Sequence, residues 1–126
     1  VSIDVSSTAI LFEVGIGEVV RLLAEAAPTL VLANDDEAAA LQIDGPMVGA
    51  LTVVKRGPRS ALVHQVDGSV TAVDAIAVPG VTDTTGAGDA FAAGFLTHDG
   101  WATDPVGACT AGHHAAAGLL RSRADR

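Results

Sequence analysis

Short apolar runs and one amphipathic stretch alternate in the first third of the chain. Residues 2–5 predict a short strand. Residues 16–26 place apolar side chains on one broad face and charged ones mostly opposite, which predicts a helix that Pro28 ends. The continuous apolar run at 30–33 is typical of a strand that is buried on both faces of a sheet.

The middle of the chain continues this alternation and then changes to a hairpin pattern. Asp35 and Asp36 place negative charge at the positive end of a helix. Asp67-Gly68 is a strong hairpin signal between two partly alternating runs. The predicted elements of this part are a helix at 37–43 and extended segments at 50–54, 61–66, 70–73 and 76–78.

Two further helices complete the pattern. One runs from 87 to 97 and stops before Asp99-Gly100, and the other is an Ala-rich helix at 105–120 with proline in its first turn. Alternating strands and helices, followed by a hairpin and two helices, indicate an α/β fold with three αβα layers and a Rossmann-like sheet. Ligands of such sheets gather at the carboxyl ends of the strands.

Composition narrows the class of protein. A length of 126 residues suits one domain, and 49% hydrophobic with only 3% aromatic residues predicts a core of small aliphatic side chains. The net charge of −8 argues against a nucleic-acid surface. No apolar run approaches the length of a membrane span, so we expect no membrane partner and a cytoplasmic location. Cys109 is the single cysteine, which excludes an internal disulfide and predicts a small buried side chain.

The loop Asp-Thr-Thr-Gly-Ala-Gly-Asp at 83–89 is the main candidate for chemistry. Gly86, Ala87 and Gly88 leave the backbone unobstructed, so that N–H groups can point at one anion near the positive end of the next helix. Asp89 would repel that anion, and its presence therefore needs another reason. The two interpretations are proton transfer from an attacking hydroxyl and a helix N-cap.

Two more segments join this loop in a recognisable order. Asn-Asp-Asp-Glu at 34–37 and Lys-Arg-Gly-Pro-Arg-Ser at 55–60 each follow a predicted apolar strand. With 83–89, they resemble the Asn-x-x-Glu motif, the nucleotide turn and the Asp-Thr-x-Gly-Ala-Gly-Asp motif of the PfkB, or ribokinase, family of carbohydrate kinases. The resemblance extends from about residue 1 to about residue 120 and is most specific at 83–96.

The resemblance implies a ribokinase-like fold and transfer of the γ-phosphate of ATP to a hydroxyl of a sugar or nucleoside. Asp89 would be the base, and Gly86, Ala87 and Gly88 would form the anion hole. Asn34 and Glu37 would order Mg²⁺, with Glu37 acting through water. An ordinary capping box between Asn34 and Glu37 is the alternative, and both interpretations can hold at once.

The same resemblance assigns the remaining candidates. The nucleotide would be held by Lys55, Gly57, Arg59, Ser60 and His114, and the alternative for 55–60 is a surface turn with solvated charges. Asp83 and Thr85 would bind a monovalent cation, usually K⁺. Residues 121–126 depart from the Arg-x-Gly-Ala pattern of the family's second cation loop, so potassium dependence is left open. We interpret this basic segment as a short solvated tail.

Members of this family are usually about twice as long as this chain. We therefore interpret residues 1–126 as the C-terminal portion of a PfkB-type domain that lacks the N-terminal half and the lid, and we expect it to be inactive alone. The complete protein could form a homodimer. The alternatives are a non-catalytic nucleotide-binding module, the remnant of a truncated kinase gene, and a kinase of the same fold acting on a vitamin precursor.

Overall fold

The computed structural model describes residues 2–4 and 15–124 and confirms a mixed α/β fold. The described residues form two compact units, one of residues before 57 together with 62–71, and one of 57–61 together with residues from 72 onward. The elements are β1 (Ser2–Asp4), α1 (Ile16–Ala26), β2 (Leu30–Asn34), α2 (Asp35–Ala40), a 3₁₀ helix (Met47–Gly49), β3 (Leu51–Lys55), β4 (Ala61–His64), β5 (Val70–Val73), α3 (Ala87–Thr97) and α4 (Pro105–Ala124).

The sheet brings the ends of its parallel strands to one edge. Its strand order is β1-β2-β3-β4-β5, with β1, β2 and β3 parallel and β4 antiparallel to β3. Asn34 of β2 lies opposite Lys55 of β3, and Asp4 is the last residue of β1. Because parallel strands end at the same edge, polar residues of all three strands collect there.

The core of the first unit forms around β2. Residues 30–33 are all buried, as predicted for a strand covered on both faces. Val31 and Ala33 share one face of β2 and form a cluster with Leu41 and Ala50. The partly buried side chains packed against this cluster are Val19, Val20, Ala40, Ile43 and Met47.

The second unit depends on close packing of α3 against α4. A Cβ atom added to Gly112 would lie 2.8 Å from the Phe91 carbonyl oxygen, and one added to Gly94 would lie 2.7 Å from the Ala111 carbonyl oxygen. Real Cβ atoms do not approach backbone oxygen so closely. The two glycines therefore allow the helix backbones to touch.

Buried His113 connects α4 to the end of β5 through a hydrogen bond. Its ring packs edge-on against Phe91, with 5.1 Å between ring centroids, and its Nε2 lies 2.9 Å from the Val73 carbonyl oxygen. Since a carbonyl only accepts, the proton lies on Nε2. Burial lowers the pKa of His113. Cys109 is buried as predicted, and burial raises the pKa of its thiol to about 12.

The structure corrects several predicted boundaries. Helix α2 ends at Ala40 instead of 43, since Gln42 takes a left-handed conformation with φ 53° that a helix cannot continue. Residues 76–78 form no strand. Helix α4 continues to Ala124, so the segment interpreted as a solvated tail is helical through that residue. None of the described helices is both long and apolar enough to cross a bilayer.

Candidate active site

Helix α3 begins at a glycine with a positive φ. Gly86 is the N-cap residue, with φ 83° and ψ −5°, a conformation that favours glycine. Asp89 lies in the first turn of the helix and is exposed, and no side chain caps this helix. The N-cap interpretation of Asp89 is therefore wrong. Its carboxylate is open to solvent in the turn that follows the loop.

The backbone amides of this turn are not equivalent. The Ala87 amide donates to the Thr84 carbonyl oxygen at 3.1 Å, and the Ala90 amide donates to the Gly86 carbonyl oxygen at 2.9 Å. Within 2–4 and 15–124, the amides of Gly88 and Asp89 have no hydrogen-bond acceptor. These two are first-turn donors of the kind that anions bind. Of the three predicted anion-hole residues, Ala87 thus has its amide already engaged.

The start of the loop is held from two directions. Asp83 Oδ1 accepts a hydrogen bond from the Thr85 amide at 3.0 Å, which closes a local turn. Arg123 Nη1 lies 3.2 Å from the Asp83 carbonyl oxygen and 3.7 Å from its Oδ1. Two oxygens of Asp83 that would suit a monovalent metal ion therefore already face a guanidinium group. The residues present do not fit such an ion at Asp83.

Asn34 and Glu37 form the capping box that was the predicted alternative. Asn34 Oδ1 accepts from the Glu37 amide at 2.9 Å, and Glu37 Oε1 accepts from the Asn34 amide at 2.9 Å. The Glu37 side chain is buried, with 1% of its surface exposed. Burial raises the pKa of Glu37, and the hydrogen bond from Asn34 opposes that shift.

The second carboxylate oxygen of Glu37 shows whether the residues present suit the predicted Mg²⁺ site. Glu37 Oε2 is buried and has no hydrogen-bond partner in the described part of the chain. Mg²⁺ prefers oxygen ligands and keeps several waters, which donate hydrogen bonds to nearby carboxylates. An unpartnered buried acceptor suits that chemistry. Residues 2–4 and 15–124 contain no cluster of three or more His, Cys, Asp and Glu side chains that could hold a metal directly.

Lys55 belongs to the sheet edge. Its Nζ lies 3.3 Å from Asp4 Oδ2, and only 13% of its side chain is exposed. The alternative of a solvated charge is therefore wrong for Lys55. Sequence reasoning missed Asp4 as its partner, although the end of the predicted first strand was the available signal.

The remaining nucleotide candidates lie in the second unit. Gly57 has a positive φ of 61° and open space where a side chain would extend. Arg59 is exposed and Ser60 is partly buried. On α4, His114 is exposed while the adjacent His113 is buried, as expected for neighbours that point in different directions on a helix. His114 is thus accessible to a ligand.

The sequence profile of the pfkB family carbohydrate kinase matches residues 18–125, and the chain belongs to this family. None of the curated proteins matches the chain significantly. Among solved structures, a "probable sugar kinase protein" from Rhizobium etli CFN 42 is 27% identical, with a TM-score of 0.76 over 95% of this chain and 38% of that one.

Two nucleoside-acting kinases share the fold. Adenosine kinase from Sinorhizobium meliloti is 24% identical, with a TM-score of 0.79 over 95% of this chain and 39% of that one. The nucleoside kinase of Methanocaldococcus jannaschii is 20% identical, with a TM-score of 0.76 over 95% of this chain and 41% of that one. The chain thus spans between 38% and 41% of the length of these three structures.

Proposed function

We propose that this chain supplies the nucleotide-binding and phosphoryl-transfer part of an ATP-dependent kinase whose acceptor is a hydroxyl of a sugar or nucleoside. Membership of the pfkB family and the likeness to sugar, adenosine and nucleoside kinases support the reaction class. The observation that carries the proposal is the first turn of α3, where the unbonded amides of Gly88 and Asp89 accompany an exposed carboxylate.

The first turn of α3 would perform two tasks in this reaction. Amides of Gly88 and Asp89 donate hydrogen bonds to the oxygens of the transferring phosphoryl group, helped by the positive end of the helix. The oxygen of the acceptor hydroxyl bonds to the γ-phosphorus while the bond between that phosphorus and the leaving ADP oxygen breaks. The Asp89 carboxylate accepts the proton that the hydroxyl loses in this step. Because the Asp89 carboxylate repels phosphate, a site that only bound an anion would be weakened by this residue.

The other predicted residues take supporting roles in this proposal. Glu37 would hold Mg²⁺ through water at its unpartnered oxygen, and Asn34 would keep Glu37 in place. When bound, Mg²⁺ neutralises phosphate charge. The nucleotide would contact Lys55, Gly57, Arg59, Ser60 and His114. We expect turnover only when the chain is joined to the rest of a kinase domain.

Replacing the base tests the proposal. In the complete gene product, Asp89→Asn should lower kcat by about 10²-fold or more while KM for ATP stays nearly constant, because the proton acceptor is lost and the amides remain. Asp99→Asn is the matched control, since Asp99 is an exposed acidic residue just beyond the same helix. Equal turnover of Asp89→Asn and wild type would show that Asp89 is not the base.

Nucleotide binding separates the kinase from the non-catalytic module. Calorimetry of the purified protein with ATP, with and without Mg²⁺, should show Mg²⁺-assisted binding that Asp89→Asn retains. Binding without phosphorylation of any sugar, nucleoside or vitamin-precursor alcohol would favour the module. Phosphorylation assays with each of these alcohols as the acceptor also discriminate between a sugar kinase and a vitamin-precursor kinase of the same fold.

A further inference from the structure

We propose that the guanidinium group of Arg123 is the resident cation of the 83–89 loop and takes the place of the monovalent metal ion that the family resemblance implies. This inference rests on the proposed kinase function and names how its catalytic loop is positioned. Its consequence is that phosphoryl transfer by this protein does not depend on K⁺.

The guanidinium group of Arg123 lies against the 83–89 loop. Arg123 Nη1 donates to the Asp83 carbonyl oxygen at 3.2 Å and lies 3.7 Å from Asp83 Oδ1. Its Nη2 lies 3.8 Å from the position of a Cβ atom on Gly86. Only 21% of the Arg123 side chain is exposed, so the guanidinium is held against the loop and is not a free surface charge. One cation thus contacts the beginning of the loop and borders the open space beside Gly86, just before α3.

The length of α4 makes this contact possible. The helix continues through Arg123 to Ala124, and a basic side chain in the last turn is favoured by the negative end of the helix. Arg121 lies two residues earlier, about 200° around the helix, and is exposed. Of these two arginines in the last turn, Arg123 is the one that contacts Asp83.

The position of the loop decides where the phosphate-binding amides point. Gly86 caps α3 and immediately precedes the turn that holds the amides of Gly88 and Asp89. A cation that ties Asp83 in place therefore fixes those donors through the chain. Arg123 is accordingly a positioning residue, which contacts the loop and none of the reacting atoms. Because guanidinium is covalently attached and always charged, no exchangeable ion is needed for the same task.

The test compares cations in kinetic assays of the complete gene product at constant ionic strength. Wild-type kcat should agree within about twofold in tetramethylammonium, Na⁺ and K⁺ salts. Arg123→Ala should lose about 10- to 100-fold in kcat through a misplaced loop. Added K⁺ or guanidinium should restore part of that loss. Arg121→Ala, the matched control on the same helical end, should behave as wild type.

Three kinetic results would overturn the inference. They are strong activation of the wild type by K⁺, an Arg123→Ala variant as active as wild type, and an inactive Arg123→Ala variant that neither K⁺ nor guanidinium restores. The last result would mean that Arg123 only stabilises the fold.

Thermal unfolding gives a readout that does not require activity. Wild type should melt at the same temperature in K⁺ and tetramethylammonium salts, and Arg123→Ala should melt lower than Arg121→Ala. A rise specific to K⁺ in the wild type, or equal melting of the two variants, would contradict the role of Arg123. If no alcohol is phosphorylated under any condition, the proposed function fails, and unfolding still decides whether Arg123 is the resident cation.

Discussion

Glu37 joins a folding role and a proposed binding role in one side chain. One carboxylate oxygen closes the capping box that begins α2, while the other is buried without a partner among the described residues. A buried unpartnered acceptor costs about 1–3 kcal/mol. That cost is expected where an incoming donor, such as a metal-bound water, completes the hydrogen bonding. Glu37 is therefore a residue at which stability and function should oppose each other.

Replacement of Glu37 by Gln should raise stability while weakening Mg²⁺ binding. Gln keeps an oxygen for the Asn34 amide, as capping boxes allow, and it carries no charge to bury. Since the folded-state pKa of Glu37 is raised above its ordinary value of 4.5, the folded state holds its proton more strongly than the unfolded state. The contribution of Glu37 to stability therefore falls as pH rises above that value. Thermal unfolding should show Glu37→Gln gaining on wild type as the pH rises above 4.5, until the pH passes the raised pKa of Glu37.

Glu37→Ala is the control that separates charge from capping. It removes the charge and the hydrogen bond that the Asn34 amide donates to Glu37 Oε1, while the backbone amide of residue 37 still donates to Asn34 Oδ1. The lost bond alone should cost about 0.5–1.5 kcal/mol. We therefore expect Glu37→Ala to melt below wild type throughout the same pH range. A Glu37→Gln variant that melts lower than wild type at high pH would show that Oε2 has a stabilising partner.

At the scale of elements, the crossing of α3 and α4 supports the candidate site. Helix α3 carries Asp89 in its first turn, and α4 carries His114 and Arg123. The close approach at Gly94 and Gly112 leaves little freedom for one helix to slide along the other. The positions of Asp89, the proposed base, and of His114 and Arg123 relative to one another therefore depend on this contact.

Adding one methyl group at the crossing should destabilise the protein. In Gly112→Ala, the new Cβ would meet the Phe91 ring and carbonyl at 2.8 Å, and overpacking of this kind costs about 1–3 kcal/mol. Gly118→Ala, on the same helix, meets nothing within 4 Å and should gain up to about 1 kcal/mol from helix propensity. Chemical denaturation measures both. Equal stability of the two variants would mean that the helices separate without penalty.

The elements that sequence reasoning located best have local signals at their ends. Helix α1 and its bounds at 16 and 26 follow from apolar periodicity and a nearby proline, and the hairpin follows from Asp67-Gly68. The end of α2 was wrong because Gln42 gives no sequence sign of its positive φ. The pairing of Arg123 with Asp83 could not be predicted from local sequence patterns, because the two residues are 40 positions apart. The motifs indicated the family and the candidate residues, whereas only the structure distinguishes the hydrogen-bonded amide of Ala87 from the amides of Gly88 and Asp89.

For the whole molecule, the balance of charge is the dominant electrostatic feature. The chain has 15 acidic and 7 basic residues, which gives a net charge of −8 at pH 7. Ion pairs such as Arg21 with Glu18 and Glu25 lie at exposed positions, where water screens the charges and such a pair contributes little to stability. Repulsion among the remaining carboxylates acts over longer distances and opposes the compact state.

This imbalance predicts that salt stabilises the protein at neutral pH. Raising the ionic strength from about 0.01 M to about 0.15 M shortens the Debye length from about 30 Å to about 8 Å, which weakens long-range repulsion more than contact pairs. The melting temperature should therefore rise by a few degrees, and equally with Na⁺, K⁺ or tetramethylammonium chloride, because the effect is screening. A fall in melting temperature would mean that contact pairs such as Lys55 with Asp4 outweigh the repulsion. A rise confined to K⁺ would instead reveal a bound ion, which Arg123 is proposed to replace.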